Sequence, residues 1–170
     1  MPAWARFAHS PYNRAVAFRV YLSHSVAAYE LGAVYGIAEL AARRGMEPIV
    51  SDRRWAPTAP PVRIVQSLTG LNAFVVMATS SGSELEWVNT ELAEALKLGL
   101  SPAAVVSVID SGVEPPATGR ILTINRASLA ETISETAATL EQLQMERKQK
   151  NLLAGLLLGG LAALLLASKD

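Results

Sequence analysis

The chain of 170 residues has no cysteine. That excludes a disulfide framework, a thiolate nucleophile and a zinc–thiolate site, and it fits a reducing compartment. His9 and His24 are its two histidines, too few for a histidine-built metal centre, so no metal site is expected. Charge is scarce as well: 18% of residues are Asp, Glu, Lys or Arg, against 51% hydrophobic. Such a balance rules out intrinsic disorder and leaves ample apolar surface for a core. The formal net charge is zero, which removes the whole-chain electrostatic argument for nucleic-acid binding. Residues 1–18 carry Arg6 and Arg14 but no long apolar stretch, so no secretory signal is expected there.

The neutral total hides a polarity. Residues 1–63 hold eight basic and four acidic groups (+4), and residues 64–146 hold three basic and ten acidic (−7). Arg147, Lys148 and Lys150 then precede a run free of charge from Asn151 to Ser168. As a helix that run is about 27 Å long, close to the roughly 30 Å of a bilayer's hydrocarbon core. The sequence therefore predicts a single-pass membrane anchor over residues 151–168, with the basic flank holding the larger part on the cytoplasmic side. A helix buried at the centre of an oligomer is the alternative, and Gly155 and Gly159 at small-xxx-small spacing suit close helix pairing in either setting.

Between the ends, short apolar runs alternate with helical patterns. The expected strands are Arg19–Ser23, Glu47–Ser51, Ala73–Ala78, Ala104–Ile109 and Arg120–Ile124. Expected helices cover Glu30–Arg44, Pro61–Thr69, Glu84–Leu98 and Ala127 to about Lys150, the first three closing at Gly45, Gly70 and Gly99. The pattern predicts an α/β fold with a five-stranded parallel sheet flanked by helices, followed by a C-terminal hydrophobic helix. Its divisions are an N-terminal segment (1–18), one α/β domain (19–143), a basic linker or helix extension (144–150) and the hydrophobic helix (151–168). Ligands of such sheets bind beyond the carboxyl ends of the strands, just after Ser23, Ser51, Ala78 and Ile109.

The segment Ser80–Gly99 (SSGSELEWVNTELAEALKLG) is the most informative. Ser83 and Glu86 fit a capping box, and Glu84 adds a favourable first-turn charge. Glu91 has no such role. With Leu85, Val88, Leu92 and Ala95 as the inward stripe, it falls at the stripe's border near Trp87, where it either faces a cleft or is a solvated helix glutamate.

RVYLSHS, GMEPIVSD, AFVVMATSSGSELEWVNTELAEAL and VVSVIDSGVEPP, in this order over about residues 18–143, resemble a TIR domain (Toll/interleukin-1 receptor homology) of the bacterial and archaeal kind. The most specific element is Ser83, Trp87, Val88 and Glu91 ahead of an Ala/Leu helix. The resemblance implies a flavodoxin-like fold and, in enzymatic members, cleavage of the N-glycosidic bond of NAD by the glutamate at the Glu91 position. NAD is then substrate, no cofactor is needed, and the product is ADP-ribose or a cyclic isomer. Ser23, His24, Arg53, Ser83 and Trp87 are the residues it places around the NAD pocket, although Ser25 also fits a helix cap. Acidic residues often follow soon after S-H-S in that family, whereas here Val26, Ala27 and Ala28 intervene before Tyr29 and Glu30. The loop Asp52–Pro61 (DRRWAPTAPP) corresponds to one that packs against a neighbouring molecule, setting Arg53, Arg54 and Trp55 opposite another subunit's Glu91. The resemblance also implies self-association and a role in defence against phage. A single carboxylate suffices chemically, because nicotinamide leaves as a neutral group and only the ribosyl cation needs stabilising. A non-catalytic TIR adaptor is the rival expectation, and a deoxyribosyltransferase-like enzyme is a third.

Overall fold

The computed structural model describes residues 17–116 and 118–167, with side chains as far as Leu157 among the tail residues. The chain runs β1 (Phe18–Ser25), a 3-10 turn (Ala28–Glu30), α1 (Leu31–Arg43), β2 (Met46–Val50) and α2 (Val62–Leu68). It continues through β3 (Ala73–Ala78), α3 (Leu85–Lys97), β4 (Val105–Ile109), β5 (Arg120–Thr123) and α4 (Leu129–Ala167). All five strands are parallel, in the order β2-β1-β3-β4-β5. This is the α/β architecture the alternation of runs predicts, and the order is consistent with a flavodoxin-like fold.

Near-continuous apolar strands make sense because both faces of the sheet are covered. With a side-chain period of two, Val20 and Leu22 of β1, Val75 and Met77 of β3, and Val106 and Val108 of β4 enter one core with α1 and α4, through Val34, Ile37, Leu140 and Leu143. The alternate residues Tyr21, Phe74, Val76, Val105 and Ile109 enter a second core with α2 and α3, through Ile64, Leu68, Val88 and Leu92. Burial of each such large side chain contributes about 1.5–3 kcal/mol. Glycines at positive φ (Gly45, Gly70 and Gly99) end the first three helices, in the left-handed geometry that glycine adopts without a Cβ penalty.

Three expectations are corrected here. No capping box forms at Ser83: α3 begins at Leu85 with Glu84 as N-cap and no side-chain cap bond, and the Glu84 N–H donates to Ser25 Oγ at 2.9 Å, which ties the helix start to the end of β1. The C-terminal hydrophobic helix is not a separate element, since residues Leu129–Ala167 form one helix that starts on the domain and runs on. Among the described residues, no helix is long and apolar enough to cross a membrane. This overturns the single-pass anchor over residues 151–168 and the cytoplasmic placement derived from it. The described side chains of α4 include Glu141, Glu146, Arg147, Lys148 and Lys150, and the uncharged run is described from Asn151 to Leu157. The side chains of 158–167, residues 168–170 and most of the 1–18 segment lie outside the described residues.

Candidate functional site

The inward stripe of α3 is Val88, Glu91, Leu92 and Ala95, at spacing i, i+3, i+4, i+7. Leu85 is not part of it, being 43% exposed at the helix mouth. Glu91 therefore lies within the stripe rather than at its border, and its exposure is 0%. Neither the cleft-facing nor the solvated placement holds. A buried carboxylate needs partners, and the strands supply them. Period-two alternation puts Tyr21 and Ser23 of β1 on the same face of the sheet, beneath α3, and Ser51 follows the carboxyl end of β2.

Glu91 Oε1 accepts hydrogen bonds from Tyr21 Oη at 3.0 Å and Ser51 Oγ at 2.5 Å. Oε2 accepts from Ser23 Oγ at 2.5 Å and lies 3.3 Å from Arg53 Nη1. Three hydroxyl bonds thus hold the carboxylate, and the Arg53 guanidinium adds an opposite charge without forming a hydrogen bond to it. Burial first, and then the neighbouring Glu91 charge, push the Tyr21 phenol well above its ordinary pKa. It stays a proton donor. Arg53 also donates through Nη2 to Ser23 Oγ at 3.2 Å and to the His24 carbonyl. Its pKa is lowered by burial, against the opposing pull of Glu91 and Glu84.

Arg53 reaches this position because its loop is strapped onto α3. Trp87 Nε1 donates to the Trp55 carbonyl at 2.8 Å, and Thr90 Oγ1 donates to the Pro57 carbonyl at 2.8 Å. Asp52 is held outside by Arg54 and by Arg63, whose Nη1 is 2.6 Å from Oδ2. Within its own chain Arg53 contacts Glu91. Arg54 is exposed and Trp55 half-buried.

Of the residues expected around the pocket, Ser23 and Arg53 touch the Glu91 carboxylate. His24 is buried beside Arg53, with its pKa pushed down to about 4 by burial first and then by the Arg53 charge. Trp87 binds the loop rather than the carboxylate, and Ser83 is exposed and outside the cluster. Tyr21 and Ser51 were not anticipated. Tyr21 was signalled by its two-residue spacing from Ser23, and Ser51 by its place at a strand's carboxyl end.

A second polar cluster at the same edge was also unforeseen. Arg126, just after β5, donates to Glu30 Oε1 at 2.6 Å and to both oxygens of Asp110, the Nε–Oδ1 bond being 2.7 Å. Glu30 Oε2 accepts from the Ala27 N–H at 2.9 Å and Thr79 Oγ1 at 2.6 Å, and Asp110 accepts from the Ser80 N–H at 2.9 Å. Burial works to raise the Glu30 pKa, but the bonds from Thr79 and Arg126 prevail and lower it; Asp110 is lowered chiefly by Arg126. Between the two clusters Gly82 packs onto the end of β1, where a Cβ would stand 1.9 Å from the Ser25 carbonyl oxygen.

A cavity of about 320 Å³ lies elsewhere, lined by Phe18, Leu71, Asn72, Leu143, Glu146 and Arg147 among others, with no residue of the Glu91 cluster. It has no chemistry comparable to the buried carboxylate, so the candidate site is assigned to Glu91. Among the described residues, no group of three or more acidic or histidine side chains is placed to hold a metal ion. Comparisons with models of known protein families and with curated proteins find no match for this chain.

Proposed function

We propose that this chain is a TIR-type domain that cleaves the nicotinamide–ribosyl bond of NAD, with Glu91 as the carboxylate facing the ribosyl cation. The observation that carries the reading is the company Glu91 keeps. It is a carboxylate on the inward face of a helix, at the carboxyl end of a parallel sheet, held by three hydroxyl donors and one guanidinium. Ribose hydroxyls are donors of the same kind, so a substrate can exchange with Ser23 and Ser51 at little enthalpic cost. A fixed anion at this place stabilises the oxocarbenium ion as positive charge develops, and the neutral nicotinamide departs without a general acid. Water then captures the cation, or a nitrogen of the same molecule's adenine does. For substrate to reach Glu91, Arg53 and the Asp52–Pro61 strap must withdraw. Arg53 is a suitable residue for that exchange, since its guanidinium stays charged wherever it goes. A role in defence against phage belongs to the same reading.

A second reading is favoured by a specific observation. Glu91 is fully buried and accepts three hydroxyl hydrogen bonds, which is also how a carboxylate with a purely structural role is held, the arrangement a non-catalytic TIR adaptor would need. The deciding experiment incubates the purified full-length chain with NAD and identifies products by chromatography and mass. Release of nicotinamide with ADP-ribose or a cyclic isomer, abolished in Glu91→Gln, supports the enzyme. No nicotinamide at any protein density removes it and leaves the adaptor.

A further inference from the structure

Beside the Glu91 cluster, Glu84 stands over two buried nitrogens that it does not satisfy. Its Oε2 is 3.7 Å from Arg53 Nε and 3.9 Å from His24 Nδ1, outside hydrogen-bond range of both. Neither nitrogen has a hydrogen-bond partner among the described residues, although the His24 side chain is 9% exposed and that of Arg53 12%. Buried polar atoms in that condition are uncommon and call for a specific explanation.

The surroundings suit an anion. The two nitrogens lie beside the first turn of α3, whose dipole favours negative charge. Glu84 is itself an anion in this place, so the local field accepts one despite Glu91 nearby. It is a poor occupant, however. A single oxygen held on the helix cap sits between two nitrogens from different elements, too far from each, and gives no cap bond to its own helix. A group with several oxygens around one centre can offer each nitrogen its own acceptor. The Glu84 backbone is fixed by its N–H bond to Ser25 Oγ, while its side chain, 33% exposed, is free to rotate outward.

We propose that Arg53 Nε and His24 Nδ1, at the N-terminus of α3, form a seat for a phosphate group, which Glu84 occupies as an internal stand-in that the ligand displaces. The phosphate uses only the Nε edge of Arg53 and displaces none of the three hydroxyls on Glu91, so it binds before the guanidinium withdraws to admit ribose. His24, neutral at ordinary pH, contributes Nδ1–H in the tautomer with its proton on that nitrogen. Identifying the phosphate with the diphosphate of NAD rests on the proposed activity, whereas the seat itself does not.

The test measures binding by calorimetry with three probes: ADP-ribose, inorganic phosphate and adenosine. Glu84→Gln removes the competing charge from a partly exposed position and should tighten ADP-ribose by about fivefold or more, leaving adenosine unchanged. Arg53→Lys, which loses the Nε donor, should weaken ADP-ribose by about tenfold. The His24 Nδ1 resonance should shift on addition of a phosphate-bearing probe. An equal Glu84→Gln effect on inorganic phosphate identifies the free ion as a sufficient ligand, and an effect confined to ADP-ribose identifies the ester. If Glu84→Gln leaves both phosphate probes unchanged, or if adenosine binds as tightly as ADP-ribose, there is no phosphate seat. A chain that binds ADP-ribose in this way but releases no nicotinamide keeps the seat and loses the proposed activity; the reverse result does the opposite.

Discussion

Glu91 and Asp110 both meet an arginine at the carboxyl end of the sheet, and the two pairs are built differently. Around Asp110 the arginine does most of the work: Arg126 forks onto both oxygens and reaches Glu30 as well, tying the segments after β1, β4 and β5 together. Around Glu91 the hydroxyls do the work, with three bonds at 2.5–3.0 Å against an arginine contact of 3.3 Å. A bidentate guanidinium is a rigid, specific partner. Hydroxyls are exchangeable ones. The comparison assigns stability to the Arg126 clamp and chemistry to the Glu91 cluster, and each assignment can be broken separately.

The largest expected effect is on the chemistry. Glu91→Gln keeps the volume but removes the charge, so nicotinamide release should fall at least about a hundredfold, equivalent to roughly 2.7 kcal/mol. The fold will register it too. Arg53 and three hydroxyls are left around a neutral amide, a loss of about 2–3 kcal/mol measurable as a lower denaturant midpoint. Rates must therefore be compared for the folded fraction. Ser51→Ala, which deletes one donor and leaves the carboxylate, separates the two: a modest stability loss of about 1 kcal/mol with Glu91 still charged. A Glu91→Gln protein that is folded and fully active would reassign Glu91 to structure.

Next in size is the clamp. Arg126→Met keeps much of the stem and removes the guanidinium that Glu30 and Asp110 share. Two buried carboxylates then lose their counter-charge, and stability should drop by about 2 kcal/mol, discounted from the fully buried case because Arg126 is half-exposed. Specific activity of the folded protein should change less than about threefold. If activity collapses while the denaturant midpoint holds, the division between clamp and chemistry fails.

How these clusters read in the sequence follows from distance along the chain. The span Ala73–Ala78 was legible to the residue, and the other strands to within two residues at each end, because apolar runs between glycine-terminated helices are local signals. Glu91 was legible as an acid without a cap or dipole role. Ser23 and Arg53 were legible as pocket residues, but Tyr21 and Ser51 were not, since they come from elements 70 and 40 residues away that only the sheet order brings together. The same holds for Arg126, 96 residues from Glu30. The Ser83–Glu86 capping box shows the converse failure, a sound local pattern that does not form because α3 starts one residue later, with Glu84 as N-cap and its N–H held by Ser25 Oγ. The tail shows another. An uncharged run was read as a membrane span from residue 151, whereas the helix that carries it begins at Leu129 on the domain itself and is continuous through 144–150, as the helix-extension reading allowed.

The smallest effect sharpens the comparison through pH, because the two clusters titrate in different windows. His24, beside Arg53, is lowered from an ordinary value of 6.5 to about 4 in the folded chain. Its unfolded form therefore takes up a proton first as pH falls, so its contribution is complete above about pH 6.5 and is lost progressively between 6.5 and about 4. Glu30 and Asp110 are lowered from ordinary carboxylate values, and the stability they give is present above those values and lost only at lower pH. Denaturant midpoints measured from pH 7 down to 3 should thus show a gentle slope, at most about 1.4 kcal/mol per pH unit for one proton, followed by a steeper acid limb. His24→Asn should flatten the first part and leave the limb. Arg126→Met should do the reverse, since the limb depends on its charge. If His24→Asn leaves the slope between pH 6.5 and 4 intact, His24 is not buried as a neutral ring beside Arg53, and the Glu91 side of the comparison has to be rebuilt around a protonated imidazole facing Glu84.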